Sequence, residues 1–321
     1  MVKIIDHPTI MSLQIQPKTC LEWVDTVLRE KSDDKAGYIL PNETTIKMSG
    51  YARQHSVKPC ALTKYRIMGA KEGNRFSGRT PTIDSHIMLN DMDSGELIAL
   101  LDGNFITTMR TAAIAVYSAV LFGKKCFSSI GMIGLGVTAA AIMKFLNYAC
   151  CGQKMTVYLY KYKNQAEEFV ERFCMYENVE FIICETYEKV IENSTVIFSC
   201  VTATDRNFCD DARSFQLGCT VIPVHTMGFQ NCDLVFDKVY GDDTKAISHF
   251  RYFGRFKSFG EVADVVTGKV EGRKSNMERI LVYNIGLGIY DLYFAYQIYQ
   301  MVLEKALPEF DLKAPKERIW I

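Results

Sequence analysis

Residues 126–148 read CFSSIGMIGLGVTAAAIMKFLNY. The apolar run Ile130 to Ile133 meets Gly134, Gly136 and Ala139, after which Ala, Met, Phe and Leu recur at helical spacing. The order is strand, tight glycine turn, helix. In such a turn the first glycine permits a sharp reversal and the second lets a pyrophosphate approach the backbone. A small third residue lets helix and strand pack closely. The anion rests on N–H groups left without partners at the helix N-terminus. A buried strand–helix turn without a ligand gives the same pattern, so the neighbouring sequence has to decide.

Downstream the alternation continues. Strands are expected at Met155 to Tyr160, Val179 to Cys184, Thr195 to Val201, Thr220 to Val224 and Leu234 to Tyr240. Helices at Asn164 to Tyr176 and Tyr187 to Glu192, and a helical or turn segment at Asp210 to Phe215, separate them. This rhythm predicts an α/β protein with a parallel, doubly wound, Rossmann-type sheet, and puts the glycine turn in its first βα connection. At the end of the second strand, an Asp or Glu would bond a ribose 2′-OH. Tyr160-Lys161-Tyr162-Lys163 stands there instead, and basic residues suit a 2′-phosphate, which predicts NADP ahead of NAD.

Upstream, Thr19 to Lys31 has the apolar spacing of a helix, and Tyr38 to Gly50 reads as extended. Ala61 to Met68 reads as a strand ending at Gly69, with a polar turn region marked by Gly73, Asn74, Gly78 and Pro81. Thr82 to Leu89 and Glu96 to Leu101 read as strands joined by the hairpin-type turn Asn90 to Gly95. Together these predict a small mixed sheet with helices. Thr107 to Phe122 switches to the period of a buried helix, with Arg110 near its start. A charge among apolar neighbours needs a partner. Either a structural ion pair or a clamp on a carboxylate or phosphate would satisfy it, since Arg donates two parallel hydrogen bonds. Phe259 to Gly272 reads as a polar-edged helix with Gly breaks, and Leu281 to Lys305 as a short strand running through Gly286 and Gly288 into a long helix.

Bulk properties narrow the class. A length of 321 residues suggests two domains. Lys plus Arg equals Asp plus Glu at 37 each, which gives no electrostatic ground for a nucleic-acid or anionic-membrane partner. The N-terminal MVKIIDHPTIMSLQIQP is interrupted by charges and prolines, unlike an export signal. The longest apolar stretch, Ala112 to Phe122, falls short of the roughly 20 residues of a membrane span. A cytoplasmic location is expected. Eleven cysteines, without a CxxC spacing, read as reduced and mostly buried, and five histidines without HExxH spacing give no metal site.

Several stretches together resemble the ornithine cyclodeaminase/μ-crystallin superfamily. They are Lys64, Asp102-Gly103, Thr107 with Arg110-Thr111-Ala112-Ala113, Gly134 to Ala139, Cys200-Val201-Thr202, Gly260-Glu261 through Gly272-Arg273, and Gly286-Leu287-Gly288 with Asp291. The resemblance covers nearly the whole chain in the family's order. It implies a homodimer whose residues 1–122 with 285–321 form a substrate-binding and dimerisation domain, and whose residues 123–284 bind NAD(P). Arg110 then matches a substrate-carboxylate arginine, and Lys64 a lysine that contacts the same carboxylate and supplies a proton. Gly134, Gly136, Val137 and Thr138 would cradle the pyrophosphate. Thr111 matches a residue at the phosphates and Thr202 one near the nicotinamide-side ribose, with Lys161, Lys163 and Met227 as further cofactor contacts.

Departures from the family pattern bear on the reaction. Cyclodeaminases carry an Asp base after a strand and a Gly; in Val224-His225-Thr226-Met227-Gly228-Phe229-Gln230 that position holds Gln230, here on the substrate side. Gln takes no proton at neutral pH, so ammonia-eliminating cyclisation lacks its base. The family's arginine upstream of Met48 has no clear match, and Thr138 replaces a Gln of the glycine turn. Reduction of a C=N bond needs orientation more than a strong base. Ketimine reductases also lack the Asp, and Leu89-Asn90-Asp91 with the compact loop after Gly228 is similar to aminocarboxyethyl-glutamate dehydrogenases. His225 would substitute for the base in an oxidative reaction, or is simply a strand-end histidine. The expectation is an NAD(P)-dependent oxidoreductase acting on the C–N bond of an amino or imino acid. The alternatives are a cyclodeaminase using bound NAD+ and a non-catalytic, crystallin-like ligand-binding protein.

Overall fold

The computed structural model describes residues 1–34, 36–38, 44–47, 53–76, 79, 81–201, 204 and 206–312. Parts of the expected extended segment 38–50, and Thr202, lie outside them. The chain forms two compact units. One comprises Met1–Gln16, Asp33–Arg110 and Leu287–Ile321, the other Pro17–Ser32 and Thr111–Gly286.

The first unit is built on a mixed sheet of β1 (Val2–Ile5), β2 (Ala36–Tyr38), β3 (Thr44–Lys47), β4 (Arg53–Leu62), β5 (Ile67–Phe76), β6 (Ile83–Asp91) and β7 (Leu97–Asp102). Its order is β1-β7-β6-β5-β4-β2, with β3 also on β4 and the short strand Glu309–Phe310 outside β1. Only β1 and β7 run parallel. Alternation sets the faces: Ser85, Ile87 and Leu89 of β6 are buried while His86 and Met88 are exposed. The hairpin between β6 and β7 turns where expected. Asp91 accepts hydrogen bonds from the N–H groups of Asp93 and Ser94, and Gly95 takes φ +75°. The helix Gly288–Met301 packs on β4, β5 and β6. Gly69 permits this packing, because a Cβ there would stand 2.1 Å from Met88 O and 3.0 Å from Leu292 Cδ1.

The second unit is a parallel sheet of β8 (Ser129–Ile133), β9 (Met155–Tyr160), β10 (Val179–Cys184), β11 (Val196–Ser199), β12 (Thr220–Pro223), β13 (Lys238–Gly241), β14 (Phe259–Glu261) and β15 (Ile280–Tyr283). The order β10-β9-β8-β11-β12-β15-β13-β14 reverses at β8, and every pair is parallel. This is the predicted doubly wound α/β fold. Its central strands are buried throughout and mostly apolar, as expected of sheets covered on both faces: all four residues of β11, β12 and β15 are buried. Each fully buried Ile, Val or Phe contributes roughly 1.5–3 kcal/mol, more than the net worth of a ladder hydrogen bond. Side-chain burial therefore sets which strands are central.

The boundary differs from the expected 1–122 and 123–284 division. Pro17–Ser32 belongs with the nucleotide-type unit because Ser32 Oγ donates to Asp264 Oδ1 at 2.9 Å and Lys31 pairs with Glu261. The helix Asn104–Phe122 changes unit after Arg110, and its far end is fixed by Thr220 Oγ1 donating to Phe122 O at 2.9 Å. Ala61 to Met68 is not one strand. β4 ends at Leu62, a turn of 3₁₀ form covers Thr63–Tyr65, and Arg66 at φ +54° reverses the chain into β5. Gly73 and Asn74, expected in a turn, lie within β5, where cross-strand pairing outweighs their turn preference. Phe259 to Gly272 is β14 followed by the short helix Val262–Val266 rather than a single helix.

Candidate functional site

In the parallel sheet, strand order reverses between β8 and β11, and the carboxyl ends of two such strands are where open α/β sheets bind ligands. Gly134 follows β8 with φ +83°. A Cβ there would lie 2.8 Å from Val201 N and 2.9 Å from Cys200 C, just past the end of β11. Gly136 is exposed, and a Cβ on it would have no atom within 4 Å. It begins the helix Val137–Ala149 with no side-chain cap, so the first-turn N–H groups of that helix keep their donor capacity. Ala139 is buried, and Gly131 lets the strand approach Ser194, whose Oγ would be 2.7 Å from a Cβ. An open space, uncapped donors and a helix dipole fit a pyrophosphate. Gly134, Gly136, Val137 and Thr138 make up the turn and the first helical residues there.

Other expected cofactor residues lie on this unit. Lys161 Nζ donates to Glu185 Oε1 at 2.8 Å, and that bond raises the lysine pKa. Lys163, at φ +52°, has its Nζ 5.4 Å from the Tyr162 ring centre. Thr111 is half-buried on the helix Asn104–Phe122. His225 and Met227 occupy the turn after β12, His225 half-buried and Met227 exposed. Gly228, at φ +92°, faces the Phe208 ring, and Phe208 and Phe229 pack 5.4 Å apart, anchoring this turn in the apolar core. Gln230 opens the 3₁₀ segment Gln230–Val235, as expected without a carboxylate at that position. The acid in that segment is Asp233, and it is committed inward. It is buried, accepts a hydrogen bond from Tyr283 Oη at 2.5 Å, and has its pKa pushed up to about 6 by burial, against the opposing hydrogen bond.

The first unit contains a buried cluster of charge. Arg110 is 6% exposed and Asp291 fully buried; Arg110 Nε donates to Asp291 Oδ1 at 2.9 Å. The lysine that joins them is Lys71, not Lys64. Lys71 Nζ donates to the same Oδ1 at 3.0 Å and is 7% exposed. Lys64 instead lies exposed in the Thr63–Tyr65 turn, with its Nζ 5.4 Å from the Tyr65 ring centre. In the structure the lysine that shares a carboxylate oxygen with Arg110 is therefore Lys71. β5 carries Lys71 on the face it shares with buried Ile67, two and four residues away from Gly69 and Ile67. β5 runs on past Gly69 to Phe76, and this continuation places a lysine on the buried face.

Burial above all, opposed by Asp291 and aided by Arg110 and Lys58, brings the Lys71 pKa down to about 7. Lys58 stands directly opposite Lys71 across β4 and β5. Burial would raise Asp291, but Arg110 and Lys71 hold it below the usual carboxylate value. Cys60, beside them on β4, stays a thiol because burial and Asp291 raise its pKa. Among the described residues cations outnumber the carboxylate in this cluster, and hydrogen-bond donors remain on Arg110 and Lys71, which gives it the chemistry to attract an anion. Among the described residues no group of His, Cys, Asp and Glu could hold a metal ion.

Comparisons with known proteins bear on the family and the fold. Residues 10–212 match the sequence profile of the "Ornithine cyclodeaminase/mu-crystallin family". The chain is 26% identical over 261 residues to N-((2S)-2-amino-2-carboxyethyl)-L-glutamate dehydrogenase of Staphylococcus aureus, covering 76% of each. It is 22% identical over 309 residues to Delta(1)-pyrroline-2-carboxylate reductase of Bacillus cereus, covering 89% of this chain and 93% of the relative. The fold is that of the Thermococcus litoralis Delta(1)-pyrroline-2-carboxylate reductase solved with NADH and L-proline: TM-score 0.83, 22% identity, covering 95% of this chain and 99% of that one. The protein belongs to the ornithine cyclodeaminase/mu-crystallin family.

Proposed function

We propose that the protein is an NAD(P)-dependent oxidoreductase that transfers hydride to or from the C–N bond of an amino or imino acid. The observation that carries this reading is the shared oxygen of Asp291. With Nε of Arg110 and Nζ of Lys71 both on Oδ1, the outer edge of the guanidinium is left for a carboxylate, which Arg binds through two parallel hydrogen bonds. Relatives named as a dehydrogenase of an amino-acid secondary amine and as a reductase of a cyclic imino acid support it.

When bound in the Gly134–Thr138 turn, the dinucleotide supplies or accepts the hydride. The rest falls to the chain. Arg110 and Lys71 orient the carboxylate, and Lys71, titrating at about 7, holds a proton for the imine nitrogen or takes one from the amine. Lys161 and Lys163, with no acid on the end of β9, favour NADP over NAD. The reading includes the homodimer that the resemblance implies. It also includes a cytoplasmic location, for which eleven free cysteines argue.

The test is turnover. Oxidation of NADPH that depends on a cyclic imino acid, or reduction of NADP by an amino acid with a secondary amine, supports the reading. Ammonia released without net change in nicotinamide absorbance turns it towards a cyclodeaminase, a reading that Gln230 disfavours. No turnover with any imine or amine, together with unaltered cofactor binding in Lys71→Ala and Arg110→Ala, turns it towards a ligand-binding protein.

A further inference from the structure

Asp291 uses its two oxygens unequally. Oδ1 accepts from Lys71 at 3.0 Å and from Arg110 at 2.9 Å, whereas Oδ2 is buried with no hydrogen-bond partner among the described residues. A carboxylate kept for stability alone is expected to use both oxygens, because an unmet buried acceptor loses its hydration and gains nothing. The donors are also divided in a telling way. Asp291 takes Nε of Arg110 and leaves Nη1 and Nη2 without a protein partner among the described residues; it takes one of the three ammonium N–H directions of Lys71. The backbone is arranged to permit this. Gly288, which opens the helix carrying Asp291, brings it close on β4: a Cβ there would lie 3.2 Å from Lys58 Cβ and 3.3 Å from Cys60 Sγ.

We propose that Asp291 is a positioning residue for proton transfer, a bracket that fixes Lys71 and Arg110 on one oxygen so that their remaining donors serve the same ligand. The proposal rests on the oxidoreductase reading. It assigns Asp291 no contact with the substrate: the carboxylate acts through the two cations. The groups facing Lys71 are Asp291 and Arg110 on their helices and Lys58 on β4, with the neutral Cys60 thiol nearby. Of these only Asp291 favours the ammonium form.

The test reads Lys71 directly. Acetylation of Lys71 by trace acetic anhydride, followed across pH by mass spectrometry of its peptide, gives its titration in the intact protein without any turnover. In Asp291→Asn the midpoint should fall by about one pH unit or more; in Asp291→Glu it should return towards the wild-type value. In Arg110→Gln it should rise, since the competing cation is gone. The pH profile of turnover should move the same way in Asp291→Asn. A folded Asp291→Asn protein with unchanged Lys71 titration and unchanged pH profile overturns the proposal, whatever its kcat. If that variant does not fold, an unchanged midpoint in Arg110→Gln overturns it. Shifted midpoints in a protein that turns over no imine or amine would remove the oxidoreductase reading and leave the bracket in place.

Discussion

Lys71 Nζ stands 3.0 Å from Asp291 Oδ1, across 220 residues of sequence and inside the core of one unit. A lysine on a sheet strand and a carboxylate on the last long helix thus form one charged group with Arg110. Of the two lysines considered for the site, Lys71 has this contact, and the proposed role therefore falls to it.

Lys71→Ala should lower kcat by on the order of 10²–10⁴, the usual worth of a positioned acid–base group. Lys64→Ala, in the exposed turn, should stay within about threefold of wild type, in the range of surface substitutions. Steady-state kinetics on both variants, beside circular dichroism to show that each is folded, checks the assignment. Equal losses would return Lys64 to the site.

The pH dependence has a sign for each direction. Reduction needs the Lys71 ammonium, so its rate should fall as pH rises through about 7; oxidation needs the free amine and should rise over the same interval. Stability follows its own rule. The folded lysine titrates below its ordinary 10.5, so its burial penalty is fully present below about pH 7 and is relieved as pH climbs towards the unfolded value. Rate profiles in both directions and melting curves across that range test the two statements separately.

The two glycines of the nucleotide turn should respond differently to substitution. Gly136→Val fills the open space at an extended φ of −82°, so it should leave the melting temperature nearly unchanged while weakening dinucleotide binding more than about tenfold. Gly134→Ala meets a φ of +83° and a backbone nitrogen at 2.8 Å. Its unfolding free energy should fall by roughly 2–3 kcal/mol, left-handed strain and overlap together. Denaturant titration and fluorescence binding of NADPH distinguish the cases.

Asp233 predicts a gain in stability. Its folded pKa near 6 lies above the ordinary 3.8, so the folded state favours the proton and loses stability as pH rises from 3.8 through 6. Asp233→Asn keeps an acceptor for Tyr283 and removes the buried charge. It should therefore raise stability at pH 8 by on the order of 2 kcal/mol, with a smaller gain at pH 5. The differences in melting temperature between the two pH values measure this.

The parallel sheet was legible because its signals are local. Strands such as Val196–Ser199 are short apolar runs, and Gly134 marks the turn by geometry that only a residue without Cβ meets easily. Arg110 was legible as a charge in an apolar helix that required a partner. The partner's identity was not, because Asp291 lies 181 residues away and nothing local ties the two. Lys71 was missed for another reason. Gly69, Gly73 and Asn74 read as punctuation, yet all are paired within β5, where two neighbouring strands override their preferences. Likewise the helix Pro17–Ser32 gives no sequence sign of its unit, since Lys31 meets Glu261 only in the fold.

In the proposed site, one oxygen serving both cations couples anion occupancy to the protonation of Lys71. An anion arriving at Arg110 favours the ammonium of Lys71, so above neutral pH each bound carboxylate should draw a proton from solvent. Titration calorimetry in buffers of different ionisation enthalpy would see it as uptake, and by reciprocity the anion should bind more tightly in acid than in base. The ligand would thus charge its own proton donor on arrival.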